Sequence, residues 1–190
     1  MAEKMIILIS GKAESGKDTV ANIIMEHQTK FGNSHNWHFA NPVKFIARES
    51  FGWDGNKDER GRNLLQLIGD GGRAYNPDIW VQEMLSSLES AFKHSLRTRE
   101  DGLIVVIPDT RYKNEIEKIL KFGFDNDVKV VTIRIERPNH KNCLTDAQRM
   151  NSSETNLDNW GLWDFKIIND STKENLEKSV WNVLEVMKLV

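Results

Sequence analysis

One short stretch near the N-terminus constrains the fold more than any other part of the chain. Residues 9–20 read ISGKAESGKDTV, in which Gly11, four further residues, Gly16 and Lys17 follow in that order. A glycine-rich loop of this spacing is typical of sites where backbone N–H groups surround phosphates and a lysine adds positive charge. The apolar run of residues 5–9 just before it predicts a strand buried on both faces of a parallel sheet. Strand, glycine-rich loop and helix is the setting that this motif requires.

Apolar runs alternate with helical patterns through much of the remaining chain. After the loop, Val20, Ile23, Ile24, His27 and Phe31 recur at helical spacing, and Gly32 is the predicted end of that helix. The other predicted strands are residues 37–39, 103–107, 128–135 and 165–168, and further helices are predicted at 112–122 and 172–188. Such alternation predicts an α/β fold with about five parallel strands flanked by helices.

Two segments interrupt this alternation. Residues 41–99 show helical patterns without a strand, and we interpret them as a helical insertion. Residues 137–160 are polar without clear periodicity, and we interpret them as a lid. With no linker or repeat between them, residues 1–190 are predicted to form one domain, whose core comprises about 1–40, 100–136 and 161–190.

Charge and cysteine content narrow the classes of function. A net charge of −2 gives no basic surface for nucleic acid, and a single cysteine, Cys143, excludes an internal disulfide framework. No apolar run could span a bilayer, and the first residues lack the pattern of a signal peptide. We therefore expect a cytoplasmic protein that binds neither nucleic acid nor membrane.

The loop has a carboxylate where a hydroxyl usually stands. Asp18 follows Lys17, and Thr19 comes one position later. A carboxylate a few ångströms from a phosphate is repelled unless a cation lies between them. We therefore predict that Asp18 holds Mg²⁺, with Thr19 donating its hydroxyl to a phosphate oxygen. In the alternative interpretation, Asp18 simply complements the dipole of the helix that it begins.

A second carboxylate follows the strand at residues 103–107. Asp109 comes after Pro108, at the carboxyl edge of the predicted sheet, where ligands bind in folds of this kind. There it could orient a magnesium-bound water or accept a proton from an attacking group. The alternative is that Asp109 caps the helix that follows it.

Arginines are frequent in the insertion and the lid. Phosphate transfer between two anions needs cations on both substrates and on the moving group. Arg62 and Arg73 lie beside apolar residues that could fix them, whereas any of the arginines could equally be a solvated surface charge. Trp80 is interpreted as a core residue, with a base-stacking role as the alternative. The arginines concerned are Arg48, Arg60, Arg62, Arg73, Arg137 and Arg149.

Several short segments match one known family. The chain resembles the bacteriophage-type deoxynucleoside monophosphate kinases, a branch of the nucleoside monophosphate kinase superfamily. The resemblance is carried, in this order, by SGKDT (15–19), HFANPVK (38–44), RNLLQLIGDGGR (62–73) followed by Trp80, VVIPDTRYKNE (105–115), SSE (152–154) and DFKIIND (164–170). It implies a P-loop kinase fold and a host-cell cytoplasmic location if the source is viral.

The resemblance also implies a reaction and a set of site residues. The γ-phosphate of ATP would pass to a deoxynucleoside monophosphate with the help of Mg²⁺. ATP would be held by Gly11, Ser15, Gly16, Lys17, Asp18, Thr19 and, near the adenine, Asn169. The acceptor would face Phe39, Lys44, Arg73, Trp80 and Arg111, and the lid residues Arg137 and Arg149 would close over the transferred group. The residues of the transfer itself would be Lys17, Asp109, Arg111 and Arg137, with the metal on Asp18 and Asp109.

Other functions are compatible with the same loop. One is another small kinase of this fold, acting on dephospho-coenzyme A, a sugar or a different metabolite. A second is a nucleotide-dependent switch or ATPase module, and a third is a scaffold that binds a nucleotide without catalysis. Because closed dimers are the commonest soluble oligomers, a homodimer is also expected.

Overall fold

The structure is a computed structural model that describes residues 3–98 and 102–190. At 96–98 it describes the main chain only. Its five strands form one all-parallel sheet in the order β2-β3-β1-β4-β5. The strands are β1 (Lys4–Ser10), β2 (Asn33–Asn36), β3 (Leu103–Thr110), β4 (Lys129–Glu136) and β5 (Phe165–Ile168). The predicted five-stranded parallel sheet is thereby confirmed.

Helices cover both faces of this sheet. They are α1 (Lys17–His27), α2 (Asn41–Phe51), α3 (Glu59–Tyr75), α4 (Ile79–Thr98), α5 (Lys113–Asn126), α6 (Asp146–Met150), α7 (Ser152–Thr155) and α8 (Lys173–Met187). Apolar residues of α1 and α8 form the core on one face, and those of α4 and α5 form it on the other. Because β1 lies at the centre with helices above and below, its apolar side chains are almost completely buried.

Three element boundaries differ from the prediction. The second strand is the polar segment Asn33–Asn36, an edge strand held by main-chain pairing with β3. Helix α1 ends at His27, since Gln28 is already extended, and Phe31 reaches the core from the loop. Helix α5 continues through Gly123, where a Cβ would lie 2.8 Å from the carbonyl oxygen of Val128. That glycine marks close packing against the neighbouring segment and not a helix end.

The insertion and the lid both contain helices. Helices α2, α3 and α4 confirm the helical pattern of the insertion, and Asp58 caps α3 through the N–H of Gly61. The lid, whose sequence shows no clear periodicity, contains α6 and α7, and Thr145 forms a capping box with Gln148 at the start of α6. The junction of insertion and core at residues 99–101 lies outside the described residues. No helix in the described ranges has both the length and the apolar composition needed to cross a bilayer.

Candidate active site

The glycine-rich loop joins the central strand β1 to α1, at the carboxyl edge of the sheet. Gly16 has a φ of 99°, in the left-handed region, and a Cβ there would lie 2.6 Å from Nδ2 of Asn169. At Gly11, a Cβ would lie 2.6 Å from the carbonyl oxygen of Ile135. Both glycines are therefore required by the local geometry. The hydroxyl of Ser15 is buried without a hydrogen-bond partner, which leaves a polar group of the loop unsatisfied.

Lys17 is folded into this loop. Its amino group donates to the carbonyl oxygens of Gly11 at 2.8 Å and Lys12 at 2.6 Å, and the residue is buried. Burial, followed by the positive charge of Arg111, lowers the pKa of Lys17 to about 7. An anionic ligand in the loop would reverse this shift because it would stabilise the charged form of the lysine.

Asp18 begins α1 with an exposed carboxylate. Its Oδ1 lies 3.6 Å from Nε2 of His38, and this contact with His38 lowers the pKa of Asp18. Within the described ranges, no three His, Cys, Asp or Glu side chains are grouped closely enough to hold a metal. Mg²⁺ does not need such a group, because it commonly binds one or two carboxylates together with phosphates and water. Asp18 and its exposed position fit that mode of binding.

Asp109 fixes the connection between β2 and α2. Its two carboxylate oxygens accept the main-chain N–H groups of Phe39 at 2.9 Å and Ala40 at 3.0 Å. The alternative that Asp109 caps the following helix is wrong, since the N-cap of α5 is Tyr112, whose main-chain N–H donates to Glu115 at 3.1 Å. The metal and proton-acceptor roles of Asp109 stay predictions.

Two arginines contact one buried carboxylate, one through its side chain and one through its main chain. Glu115 accepts a guanidinium N–H of Arg73 at 3.2 Å and the main-chain N–H of Arg111 at 2.7 Å. The guanidinium of Arg73 also lies 3.7 Å from the ring centroid of Tyr112. Complete burial raises the pKa of Glu115 to about 7, although the hydrogen bond from Arg111 and the charge of Arg73 act in the opposite direction.

One cavity of about 350 Å³ brings the loop and these cations together. Its lining includes the predicted residues Lys17, Asp18, Phe39, Lys44, Arg73, Asp109 and Arg111. Burial also lowers the pKa of Lys44, which lines the cavity from α2. Residues predicted from four separate sequence segments therefore surround a single space.

Trp80 lies apart from this space. It is buried, its indole N–H donates to the carbonyl oxygen of Gly69 at 3.0 Å, and its ring packs against Gly72. These contacts join α3 to α4, as expected of a core residue. The exposed edge of Trp80 borders a second cavity of about 780 Å³ between α2 and α4, which Phe39 and Lys44 also line.

The remaining predicted residues occupy three different positions. Asn169 donates from Nδ2 to the carbonyl oxygen of Ser15 at 2.9 Å, so it contacts the loop directly. Arg137 donates to the carbonyl oxygen of Glu14 at 3.1 Å, on the lid side of the loop. Arg149 of α6 pairs with Asp146 at 2.6 Å. Neither arginine lines the 350 Å³ cavity, and their roles over the transferred phosphate stay predictions.

Sequence reasoning assigned no role to Glu154 or Glu14. Glu154 of α7 accepts the main-chain N–H of Ala13 at 2.9 Å and pairs with Arg111. Glu14 lies in the loop itself with a φ of 60° and contacts Arg62 of the insertion. Both side chains line the cavity. The SSE segment at 152–154 was the only sequence signal that pointed to Glu154.

Comparison with known proteins finds the same fold in other solved structures. No family model matches the chain. A tunicamycin resistance protein from Deinococcus radiodurans has a similar structure, with a TM-score of 0.54 and 13% identity over 99% of this chain and 98% of that one. An APS kinase from Mycobacterium tuberculosis, in complex with AMPPNP and APS, has a TM-score of 0.51 and 10% identity over 99% of both chains. The five-stranded parallel sheet flanked by helices is the P-loop kinase fold.

Proposed function

We propose that this protein is a magnesium-dependent kinase that transfers the γ-phosphate of ATP to a deoxynucleoside monophosphate, giving ADP and a deoxynucleoside diphosphate. One observation carries the proposal. The phosphate loop with Lys17 and the cationic side chains Lys44, Arg73 and Arg111 face the same cavity.

This arrangement favours an acceptor that is itself an anion. The loop and Lys17 suffice in principle for the polyphosphate of a donor nucleotide. Arg73 and Arg111 lie outside the loop and line the cavity, Arg73 held by Glu115 and the Arg111 side chain by Glu154. A neutral acceptor such as a sugar offers no charge for these two guanidinium groups to bind, whereas a monophosphate can pair with them bidentately.

The nucleotide nature of both substrates is supported from two directions. AMPPNP, an ATP analogue, is bound by the APS kinase of the same fold. The deoxynucleoside preference depends on the resemblance of segments 38–44, 62–73 and 105–115 to the phage-type kinases. Each of these three segments contributes a residue to the cavity lining, namely Phe39, Arg73 and Arg111.

Transfer in such a site depends on alignment and charge, without a covalent intermediate on the protein. An acceptor phosphate oxygen attacks the γ-phosphorus in line, the bond to the bridging oxygen of ADP breaks, and ADP leaves. Lys17 and Arg111 would stabilise the charge spread over the moving group, and closure of the lid would exclude water. Mg²⁺ held by Asp18 would neutralise part of the charge on the donor phosphates.

A panel of monophosphates tests the proposal. ADP formation is measured with ATP, Mg²⁺ and each deoxynucleoside or ribonucleoside monophosphate in turn, with dephospho-coenzyme A and a set of sugars as competing acceptors. We expect at least one deoxynucleoside monophosphate to raise ADP formation far above the acceptor-free rate. Arg73→Ala should then raise the KM for the acceptor more than it changes the KM for ATP.

Two results would argue for another function. Stimulation by dephospho-coenzyme A or a sugar, but by no monophosphate, would assign the protein to metabolite kinases. ATP turnover that ignores every small acceptor would favour the switch or ATPase interpretation. Arg60→Ala serves as a matched control for Arg73→Ala, because Arg60 is an exposed arginine of the same helix.

A further inference from the structure

A lid carboxylate lies on the phosphate loop of this structure. One oxygen of Glu154 accepts the main-chain N–H of Ala13 at 2.9 Å, and the other pairs with a guanidinium nitrogen of Arg111. The Glu154 side chain is only 7% exposed. A loop amide and an acceptor-side arginine thus share one carboxylate between them.

The carboxylate of Glu154 lies where phosphate transfer would take place. The N–H of Ala13 belongs to the loop that would hold the donor phosphates, and Arg111 lies on the side where the acceptor phosphate is expected. A group that contacts both lies between donor and acceptor, where the transferred phosphoryl group must pass. Because two anions repel strongly at such short range, Glu154 and a phosphoryl group cannot occupy this position together.

Further contacts hold Glu154 in this position. Lys12 of the loop pairs with the carboxylate of Asp158 and donates to the main-chain oxygen of Glu154. Arg111 also donates to the carbonyl oxygen of Ser153 at 3.2 Å. The start of α7 is therefore fixed to both sides of the cavity by main-chain as well as side-chain groups.

We propose that Glu154 is a gating residue that occupies the transfer position until the γ-phosphate of ATP and the acceptor phosphate displace it together. The proposal depends on the proposed function. When ATP binds without an acceptor, its γ-phosphate gains a hydrogen bond from the N–H of Ala13, but the ion pair between Glu154 and Arg111 must break. ADP has no γ-phosphate and does not compete with Glu154. The carboxylate therefore lowers the affinity for ATP relative to ADP until an acceptor engages Arg111.

The gate also limits a side reaction. In acceptor-free hydrolysis, a water oxygen bonds to the γ-phosphorus as the bond to ADP breaks, which releases ADP, inorganic phosphate and a proton. With Glu154 in place, the γ-phosphate is excluded from the Ala13 and Arg111 donors that would stabilise this step. Selectivity for transfer over hydrolysis would thus reside partly in one lid residue.

Glu154→Gln tests the gate because glutamine keeps the shape of the side chain and removes its charge. We measure the dissociation constants of ADP and ATP by calorimetry with Mg²⁺ and without acceptor. The variant should bind ATP about tenfold more tightly, since a competing charged hydrogen-bonded contact is lost. ADP binding should change little. Acceptor-free ATP hydrolysis should rise relative to the rate with a monophosphate.

Glu117→Gln is the matched control. It makes the same change from glutamate to glutamine at an exposed carboxylate of α5 that does not line the cavity. We expect the ratio of ATP to ADP affinity to stay at the wild-type value in this variant. Glu154→Ala, checked for folding by circular dichroism, should reproduce the effect of Glu154→Gln.

The outcomes separate this proposal from the proposed function. If Glu154→Gln binds ADP normally but ATP no more tightly than the wild type does, the gate is overturned and the kinase assignment is untouched. If Glu154→Gln loses transfer at unchanged ATP affinity, Glu154 positions Arg111 for catalysis and is not a gate. If the wild-type protein binds neither nucleotide, both proposals fail.

Discussion

At the scale of single residues, the protonation state of Lys17 is the most informative property of the site. The amino group is buried on loop carbonyls, and burial lowers its pKa to about 7. Below that pH the lysine is charged with or without a ligand. Above it, the free protein holds a neutral amine, whereas a bound polyphosphate favours the charged form. Nucleotide binding above pH 7 is therefore expected to take up a proton.

This linkage can be measured directly. At pH 8, calorimetric titration with ADP in two buffers of different ionisation enthalpy should give an uptake approaching one proton per nucleotide. The affinity should fall as the pH rises above 7, by at most about tenfold per pH unit. Lys17→Arg should remove the uptake because a guanidinium stays charged at this pH. An uptake close to zero in the wild-type protein would show that Lys17 is already charged in the free loop.

The carboxylate of Asp18 leads to a different test. Asp18 is exposed beside His38 and lines the cavity with Lys17. If it holds Mg²⁺, Asp18→Ala should raise the magnesium concentration needed for half-maximal activity, and Asp18→Ser should largely restore it through a hydroxyl ligand. The measurement is activity against free Mg²⁺ at fixed ATP. An unchanged magnesium dependence in the alanine variant would leave only the helix-dipole role.

At the scale of secondary-structure elements, the contact between α3 and α4 depends on one glycine. A Cβ on Gly72 would lie 2.9 Å from Cε2 of Trp80, whereas nothing lies within 4 Å of a Cβ on Gly71. Gly72→Ala should therefore destabilise the protein by about 1–3 kcal/mol through overpacking. Gly71→Ala, in the same helix, should stabilise it by up to about 1 kcal/mol through helix propensity. Urea unfolding measures both changes.

The two alanine variants control for each other, since they differ by one position in one helix. Equal stability of the two proteins would mean that the Trp80 ring does not pack on Gly72. A further comparison, Trp80→Phe, should lose the hydrogen bond to the carbonyl oxygen of Gly69 and weaken the same contact. Acceptor affinity should decrease together with stability in these variants only if the packing of α3 on α4 also fixes the position of Arg73.

The elements that could be predicted are those whose signal is local. Strand β1, the loop and α8 each follow from a continuous apolar run, a fixed glycine spacing or a helical stripe. The polar strand β2 could not be found in this way, because main-chain bonds to β3 define it. The chain stays paired just beyond that strand, where the N–H of Trp37 donates to the carbonyl oxygen of Val106 at 2.9 Å. The predicted strand at 37–39 was therefore displaced by only a few residues.

The same distinction applies to the site. Lys17, Asp18 and the residues around Arg111 belong to short motifs that a sequence displays directly. Glu154 reaches Ala13 from a helix 141 residues further along the chain, so its contact exists only after the lid has folded over the loop. The positions of Trp80 and Arg149 could not be derived from the sequence either. Their residue types suit a nucleotide site, but the fold places one between helices and pairs the other with Asp146.

At the scale of the whole molecule, Glu14 connects three parts of the chain. From the phosphate loop, its carboxylate accepts from Arg62 of the insertion at 3.3 Å. It also contacts two lid residues, His140 at 3.2 Å and Cys143 at 2.7 Å. The hydrogen bond from Cys143 is the main reason that the pKa of Glu14 is lowered. A loop that binds phosphates is therefore tied directly to the two segments expected to close over it.

Glu14→Gln should loosen the lid without disturbing the sheet. Because these contacts are largely exposed, their loss should increase hydrogen exchange of the amides at 140–145 by about two- to fivefold. Amides of β1 should exchange at the wild-type rate, since that strand lies in the centre of the core. Glu26→Gln, which changes an exposed carboxylate of α1, is the control. If both variants show the same exchange at 140–145, Glu14 does not couple the loop to the lid, and other contacts, such as that of Gln148 with Asn63 of α3, must hold the lid.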